Sequence, residues 1–545
     1  MTDMFRKRGL RALAAAALAA GLALASAATL KGEPRSRITP YLEVQQVLSA
    51  DLNGGDVLTY TSVGAGVDAF VSSQRVKATI SYNYQRRIAW NDNLSDNDIH
   101  TGLAAAQLTV VPNLLTFDAG ALAARSHGDL SVPVPGFQTA DDPNLVEIYS
   151  VYAGPTLSTK VGAVDVGASY RLGYVHVDDH GLAGVSQVPG QPRFDRYDGS
   201  VIHSAAASVG MGPGELPVGW TVGAGYSRED NDILDATNEA VFVRGDIVVP
   251  VTYSLALTGG AGYEKLKASQ QDILRDTNGF PIVGPNGELV ADPSRPRLLA
   301  YDQSGLIWDV GVIWRPSRRT ELQARVGRRY GGTTFVGSLE HRINESYAIT
   351  ASVYDQVTSF GRLLISDLNG LPVDFKIGRN RLSGGGGCVF GNDPGSGTCF
   401  DDALQSINNS SFRYRGAAIL FSGGRGPWSF GAGLGYARRN YFGAGDNAIP
   451  FNLANVTDES VTFQANAERQ LSRNSSVALD SYLGWFDSGA AGVRSSRSAG
   501  LTGSYYHTLM DGHLEATAQA GIYTVDAGQY DSSVASILFG LRYAF

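Results

Sequence analysis

Past the first 27 residues the chain has no apolar run long enough to cross a bilayer as a helix, which takes about 20 residues. The longest such runs are short and broken by glycine, serine or charge. Lysine is scarce and the formal charge is −8, so the basic face that nucleic-acid binding needs is missing. Only two cysteines occur, Cys388 and Cys399, both within CVFGNDPGSGTC. A metal centre there lacks further Cys or His ligands, and a redox motif wants tighter spacing. A local disulfide in an oxidising compartment is the expected pairing. No long proline-rich linker divides the chain, so one domain is expected over residues 28–545.

What is present begins with a basic patch, Arg6, Lys7, Arg8 and Arg11, then an alanine- and leucine-rich stretch from Ala12 to Ala25. Ala25-Ser26-Ala27 follows as a small-residue exit. This order is that of a secretory signal peptide, residues 1–27, cleaved after Ala27 and exported by the Sec route. Leu30 to Arg37 reads as a short tether.

The remainder alternates with period two. From Val461 to Glu468, Val461, Phe463, Ala465 and Ala467 form one row, and Thr462, Gln464, Asn466 and Glu468 the other. Leu514 to Tyr523, Val76 to Gln85 and Glu321 to Gly327 repeat the pattern. A soluble β-sandwich also shows period two. Three features favour a membrane. The apolar rows carry no charge mid-strand, where a charge facing lipid is costly. Aromatic residues gather at strand ends, with Trp220, Trp314, Tyr347 and Trp428 at one end and Tyr84, Tyr174, Tyr263 and Tyr436 nearer the other, as in two interfacial girdles. The chain ends ILFGLRYAF. Its outward row closes on Tyr543 and Phe545 and resembles the signal that the barrel-assembly machinery reads.

Short turns are expected at 73–75, 112–113, 158–160, 212–219, 250–251, 316–318, 343–345, 424–427, 472–475 and 510–512, with longer acidic segments between them. The longest run from Leu266 to Leu299 and from Ser359 to Ser410. Folded outward these are surface loops; folded inward they narrow the lumen. The scheme predicts an all-β, transmembrane antiparallel up-and-down β-barrel of about 22 strands, between roughly 20 and 24, with both termini periplasmic. The expected location is the outer membrane of a Gram-negative cell. Its partners there are outer-membrane lipid, lipopolysaccharide and the assembly machinery.

The opening stretch ITPYLEVQQVLSADLNGGDVLTYTSVGAGVDA, Ile38 to Ala69, together with the barrel pattern, resembles the β-barrel porin family found beside exosortase and exopolysaccharide systems. The resemblance implies a membrane pore, with polysaccharide as a candidate cargo. It implies no catalytic residue and no cofactor.

No enzyme is expected. His203-Ser204 and Ser126-His127 are adjacent pairs, and Ser338 and His341 have opposite parity. Members of each pair therefore point to opposite faces of a strand, and none meets the geometry of a catalytic site. His176-Val-Asp-Asp-His180 and the Asn91–Asp98 loop offer oxygen and imidazole ligands without a recognised metal spacing. The strings GGAGYE and GAGLGY open no helix, so they are not nucleotide loops. Strand glycines instead let a neighbouring tyrosine ring lie across them or allow curvature.

The candidate lumen row is Asp68, Lys77, Asp118, Asp165, Arg171, Asp309, Arg325, Glu468 and Asp480. It either sets a field that selects solutes or merely pairs and solvates a wet interior. Tyr60 and Tyr523 face inward as stacking surfaces or as filling. The expected function is a pore for hydrophilic solutes, with export of surface polysaccharide as a variant. The rival is a non-conducting barrel acting as adhesin, scaffold or receptor through its loops. A TonB-type transporter is disfavoured, since that class carries a sizeable N-terminal plug and none is read here.

Overall fold

The computed structural model describes residues 35–55, 57–90, 97–127, 145–178, 197–284, 289–382, 387–405, 407–443, 454–490, 494–527 and 531–545. The signal peptide, most of the Asn91–Asp98 loop, and Asp179 and His180 lie outside them.

Twenty-two strands form one antiparallel sheet. The first, Arg35–Asp51, pairs with Val57–Ser72 on one side and with the last, Asp531–Ala544, on the other, which closes the barrel. Closure satisfies every edge, as a sheet in lipid must. The outward rows are apolar and exposed. On the last strand they are Ile537, Phe539, Leu541 and Tyr543, followed by Phe545. An antiparallel closed barrel with such a belt is a membrane-spanning barrel of the outer-membrane type. No helix among the described residues is long and apolar enough to cross a membrane.

The ten turns fall close to their expected places. One is displaced: Leu145–Val161 runs through 158–160 and reverses at Gly162, whose φ of 64° suits glycine. These turns share one end with both termini of the described barrel, and that end is periplasmic because outer loops are the longer ones. Several outer connections are short as well, and one is the shortest of them. Thr320–Arg329 and Gly332–Arg342 are joined by Tyr330 and Gly331 alone, both at positive φ. This is the backbone of a tight hairpin turn, and Tyr330 is not one of the usual turn residues that would mark it.

The connection from Ser359 to Ser411 folds into the lumen. It carries helix α1, Phe360–Asn369, a two-stranded ribbon pairing Cys388–Phe390 with Gly397–Cys399, and helix α2, Asp401–Leu404. Ser359 caps α1 by accepting a hydrogen bond from the Arg362 amide. Phe360, Leu363, Leu364 and Leu368 then share one helical face and are buried against Ile148, Val175 and Ile202 of the wall. Each such side chain contributes about 1.5–3 kcal/mol to the seating.

Candidate functional site

The lumen and the connection within it form the candidate site. From α1, near the outer end, the chain descends. The Val373 carbonyl accepts from Thr79 Oγ1 at 2.6 Å, and Lys376 Nζ donates to Ser429 Oγ at 3.0 Å. Near the periplasmic ends of the strands Arg379 pairs with Glu468 and, at 3.3 Å, with Glu515. Its guanidinium lies 4.1 Å from the Tyr506 ring centroid. Arg381 stands 3.5 Å from Glu43. A basic tip thus sits on acidic wall residues.

The ribbon then lies along Phe412–Arg425 and Trp428–Tyr441, with Gly395 N donating to Ser422 Oγ at 2.8 Å. Here the string GAGLGY acquires its reason. A Cβ on Gly431 would stand 2.5 Å from the Phe390 ring, and one on Gly433 would stand 2.5 Å from Cys388 Sγ. These glycines make room for the ribbon, not for a neighbouring tyrosine. Gly433→Leu is expected to lift the ribbon from the wall, making the connection cleavable by added protease while the barrel keeps its heat-modifiable mobility.

Cys388 and Cys399 are bonded to each other. They cluster with Asp401, but a disulfide leaves no thiolate to bind a metal. Opening the bond by Cys388→Ser or by reductant removes a local constraint of about 3 kcal/mol in the chain-entropy picture. Faster proteolysis within 387–405 is the expected readout.

Burial beside Asp402 pushes the Asp401 carboxyl up to about 8, against a hydrogen bond from Gln464 at 3.0 Å. The seated connection therefore binds this proton better than a released one. That contribution is fully present below the ordinary carboxylate range and is lost as pH rises through about 8. Protease protection of the connection should be greater at pH ~6 than at pH ~9, and Asp401→Asn should flatten the difference.

The expected lumen row pairs locally rather than across the barrel. Asp118 and Arg171 meet at 2.7 Å, and Arg171 also donates to Asn369 at the end of α1. Asp68 pairs with Arg542 and accepts from Ser81. Asp165 pairs with Lys160 at the exposed periplasmic rim, and Lys77 is exposed near the same rim. Asp480 accepts from Asn380 of the connection at 3.3 Å. Asp309 and Arg325 join Arg244 and Asp246 in a cluster described below. Tyr60 and Tyr523 face inward and are buried; Tyr60 lies under the Arg87 guanidinium. His176 pairs with Asp198 at 3.4 Å.

Residues not anticipated from the sequence include Glu43, Arg379 and Arg381, and also Arg439. Arg439 is fully buried under α2 and donates to the Asp402 carbonyl. Parity along the first strand, where Tyr41, Glu43 and Gln45 share the inward row, was the available signal for Glu43.

At the outer end the two ends of the connection are fastened to Glu229, Ile233 and Asn238 of the wall. Ser359 Oγ bonds Glu229, Asn409 Nδ2 donates to the Ile233 carbonyl at 3.0 Å, and Ser411 Oγ donates to Asn238 at 2.5 Å. The chain is similar in fold to several solved transporters and receptors. The FrpB iron transporter from Neisseria meningitidis (F5-1 variant) matches at 10% identity and a TM-score of 0.45, over 93% of this chain and 82% of that one. The siderophore receptor PiuA from Acinetobacter baumannii matches at 9% and 0.41, over 92% and 82%. The ferric-catecholate import receptor Fiu from E. coli K12, in its open form, matches at 9% and 0.44, over 93% and 81%. No family model and no curated protein match the chain.

Proposed function

We propose that the protein is a gated outer-membrane pore for hydrophilic solutes, closed at rest by its own connection from Ser359 to Ser411. The observation that carries this reading is the polar seating of the connection's lower half. Arg379, Arg381, Lys376 and Asn380 are held by ion pairs and hydrogen bonds to the wall, contacts that water can replace as the segment moves. Outward transport of a surface polysaccharide is a variant of the same reading. Assembly through Tyr543 and Phe545 and contact with lipopolysaccharide are proposed alongside it.

One observation favours the rival, a permanently closed barrel that acts through its surface. The apolar face of α1 is wholly buried against the wall, and releasing it is costly. Planar-bilayer recording of the refolded full chain separates the two. A gated pore gives long silent periods broken by large steps, more frequent at high salt, which weakens the partly exposed Arg379–Glu468 pair. A protein shown to be folded that stays silent at every salt concentration and voltage contradicts the pore.

A further inference from the structure

The connection does not sit on the barrel axis. On one side of the lumen the inward polar residues are covered: Ser62 is 2% exposed, Ser476 3%, Ser504 5% and Gln519 2%. On the other side Ser200, Asn238, Glu264 and Thr334 are covered nearer the outer end, but several of the same kinds of residue nearer the periplasmic end are open. Ser204 and Ser208 on Gly199–Met211, Thr221 on Gly219–Asn231 and Ser338 on Gly332–Arg342 all face inward and are exposed. Inward parity follows from the opposite row, where Val222, Tyr226 and Phe335 are exposed to the lipid side. Among the described residues a wet cleft therefore runs along the periplasmic half of the wall from Gly199–Met211 to Gly332–Arg342, and it is covered toward the outer end, where Ser359 and Ser411 bond the wall.

In the middle of this wall four charges alternate around a square. Arg244 Nη2 lies 2.5 Å from Asp246 and 2.9 Å from Asp309, while Arg325 Nη1 lies 2.9 Å from Asp246 and 3.4 Å from Asp309. Glycine lies behind it. A Cβ on Gly311 would stand 2.7 Å from the Arg325 stem, and one on Gly260 would collide with Arg244 and Asp246. The guanidinium groups thus lie flat on the wall instead of projecting into the cleft. Two cations and two anions cancel, so the square presents donors and acceptors without a net field.

We propose that solute moves along this wall, and that the Arg244–Asp246–Asp309–Arg325 square makes the path suited to uncharged hydrophilic solutes and only weakly selective between small ions. The inference rests on the pore reading and gives it a route and a selectivity element.

Its test has two parts, so that failure of the route and failure of the pore are distinguishable. In the first, Ser338→Cys and Ser504→Cys are each placed in the full chain, whose own cysteines are bonded to each other, and treated with a bilayer-impermeant maleimide. Ser338→Cys is expected to react about tenfold or more faster, since the covered site reacts only through opening. Equal rates overturn the one-sided cleft. In the second, reversal potentials are measured in a potassium chloride gradient during openings of the full chain. Asp309→Asn leaves the square positive and should shift selectivity toward chloride; Arg325→Gln should shift it toward potassium. Shifts of the same sign, or none in either variant, overturn the square as the selectivity element. Absence of current in every variant, with the labelling contrast intact, overturns the pore and with it the route.

Discussion

A chain in which residues 360–410 are replaced by a two-residue turn conducts continuously, with a time-averaged conductance on the order of tenfold above that of the full chain, as befits an unplugged barrel of this strand number. Thr358 and Phe412 are direct partners across two neighbouring strands, so a tight turn closes the gap without disturbing register. The barrel's own hydrogen bonds are untouched by the deletion. What it uncovers is the apolar seat of α1, Ile148, Val175 and Ile202, and the polar row that then takes water. Continuous steps in planar bilayers, with unchanged heat-modifiable mobility, are the expected readout. A folded deletion variant as silent as the parent would mean that the connection is not what closes the lumen.

Arg381→Glu comes next in expected effect. Arg381 faces Glu43, whose side chain is 3% exposed and also accepts from Asn83 at 2.8 Å and Gln85 at 2.9 Å. Reversal places two carboxylates where neither is well solvated, a loss of about 3–5 kcal/mol of seating. A shift of about 5.5 kcal/mol converts a 1:99 equilibrium into 99:1, so a reversal of this size moves the connection from mostly seated to substantially released. Open probability should rise steeply in single-channel records. Combining Arg381→Glu with Glu43→Arg restores opposite charges and should return much of the closure. If the double variant is as open as the single one, the effect is a general loss of packing and not the ion pair.

The barrel was legible because its rules are local. Period-two rows such as Val461–Glu468, short polar turns and a terminal aromatic residue each need only a few neighbouring residues to be recognised, and together they place the turns to within a few residues, the largest miss being 158–160 against the reversal at Gly162. The internal connection was not legible in the same way. Its helix, SFGRLLISDLN, shows a capping serine and an apolar face, but the partner of that face lies on strands far away in sequence. In sequence the wall glycines at 431 and 433 suggest room for a neighbouring tyrosine ring or curvature, whereas the ribbon that occupies their space comes from a distant segment. The charges were assigned to the inward rows by parity alone, which cannot say which strand supplies a partner. Asp118 with Arg171 and Asp309 with Arg325 turned out to be neighbours on the wall, while Glu468 and Asp480 hold the connection.

The most direct measurement is an electron-microscopy reconstruction of the full chain in lipid nanodiscs at neutral pH. Density is expected inside the lumen from the outer end down to Glu468 and Glu515, pressed against the wall that holds Gly431 and Gly433, with a solvent cleft beside Arg244 and Arg325. An empty lumen, with residues 360–410 outside the barrel, would contradict it.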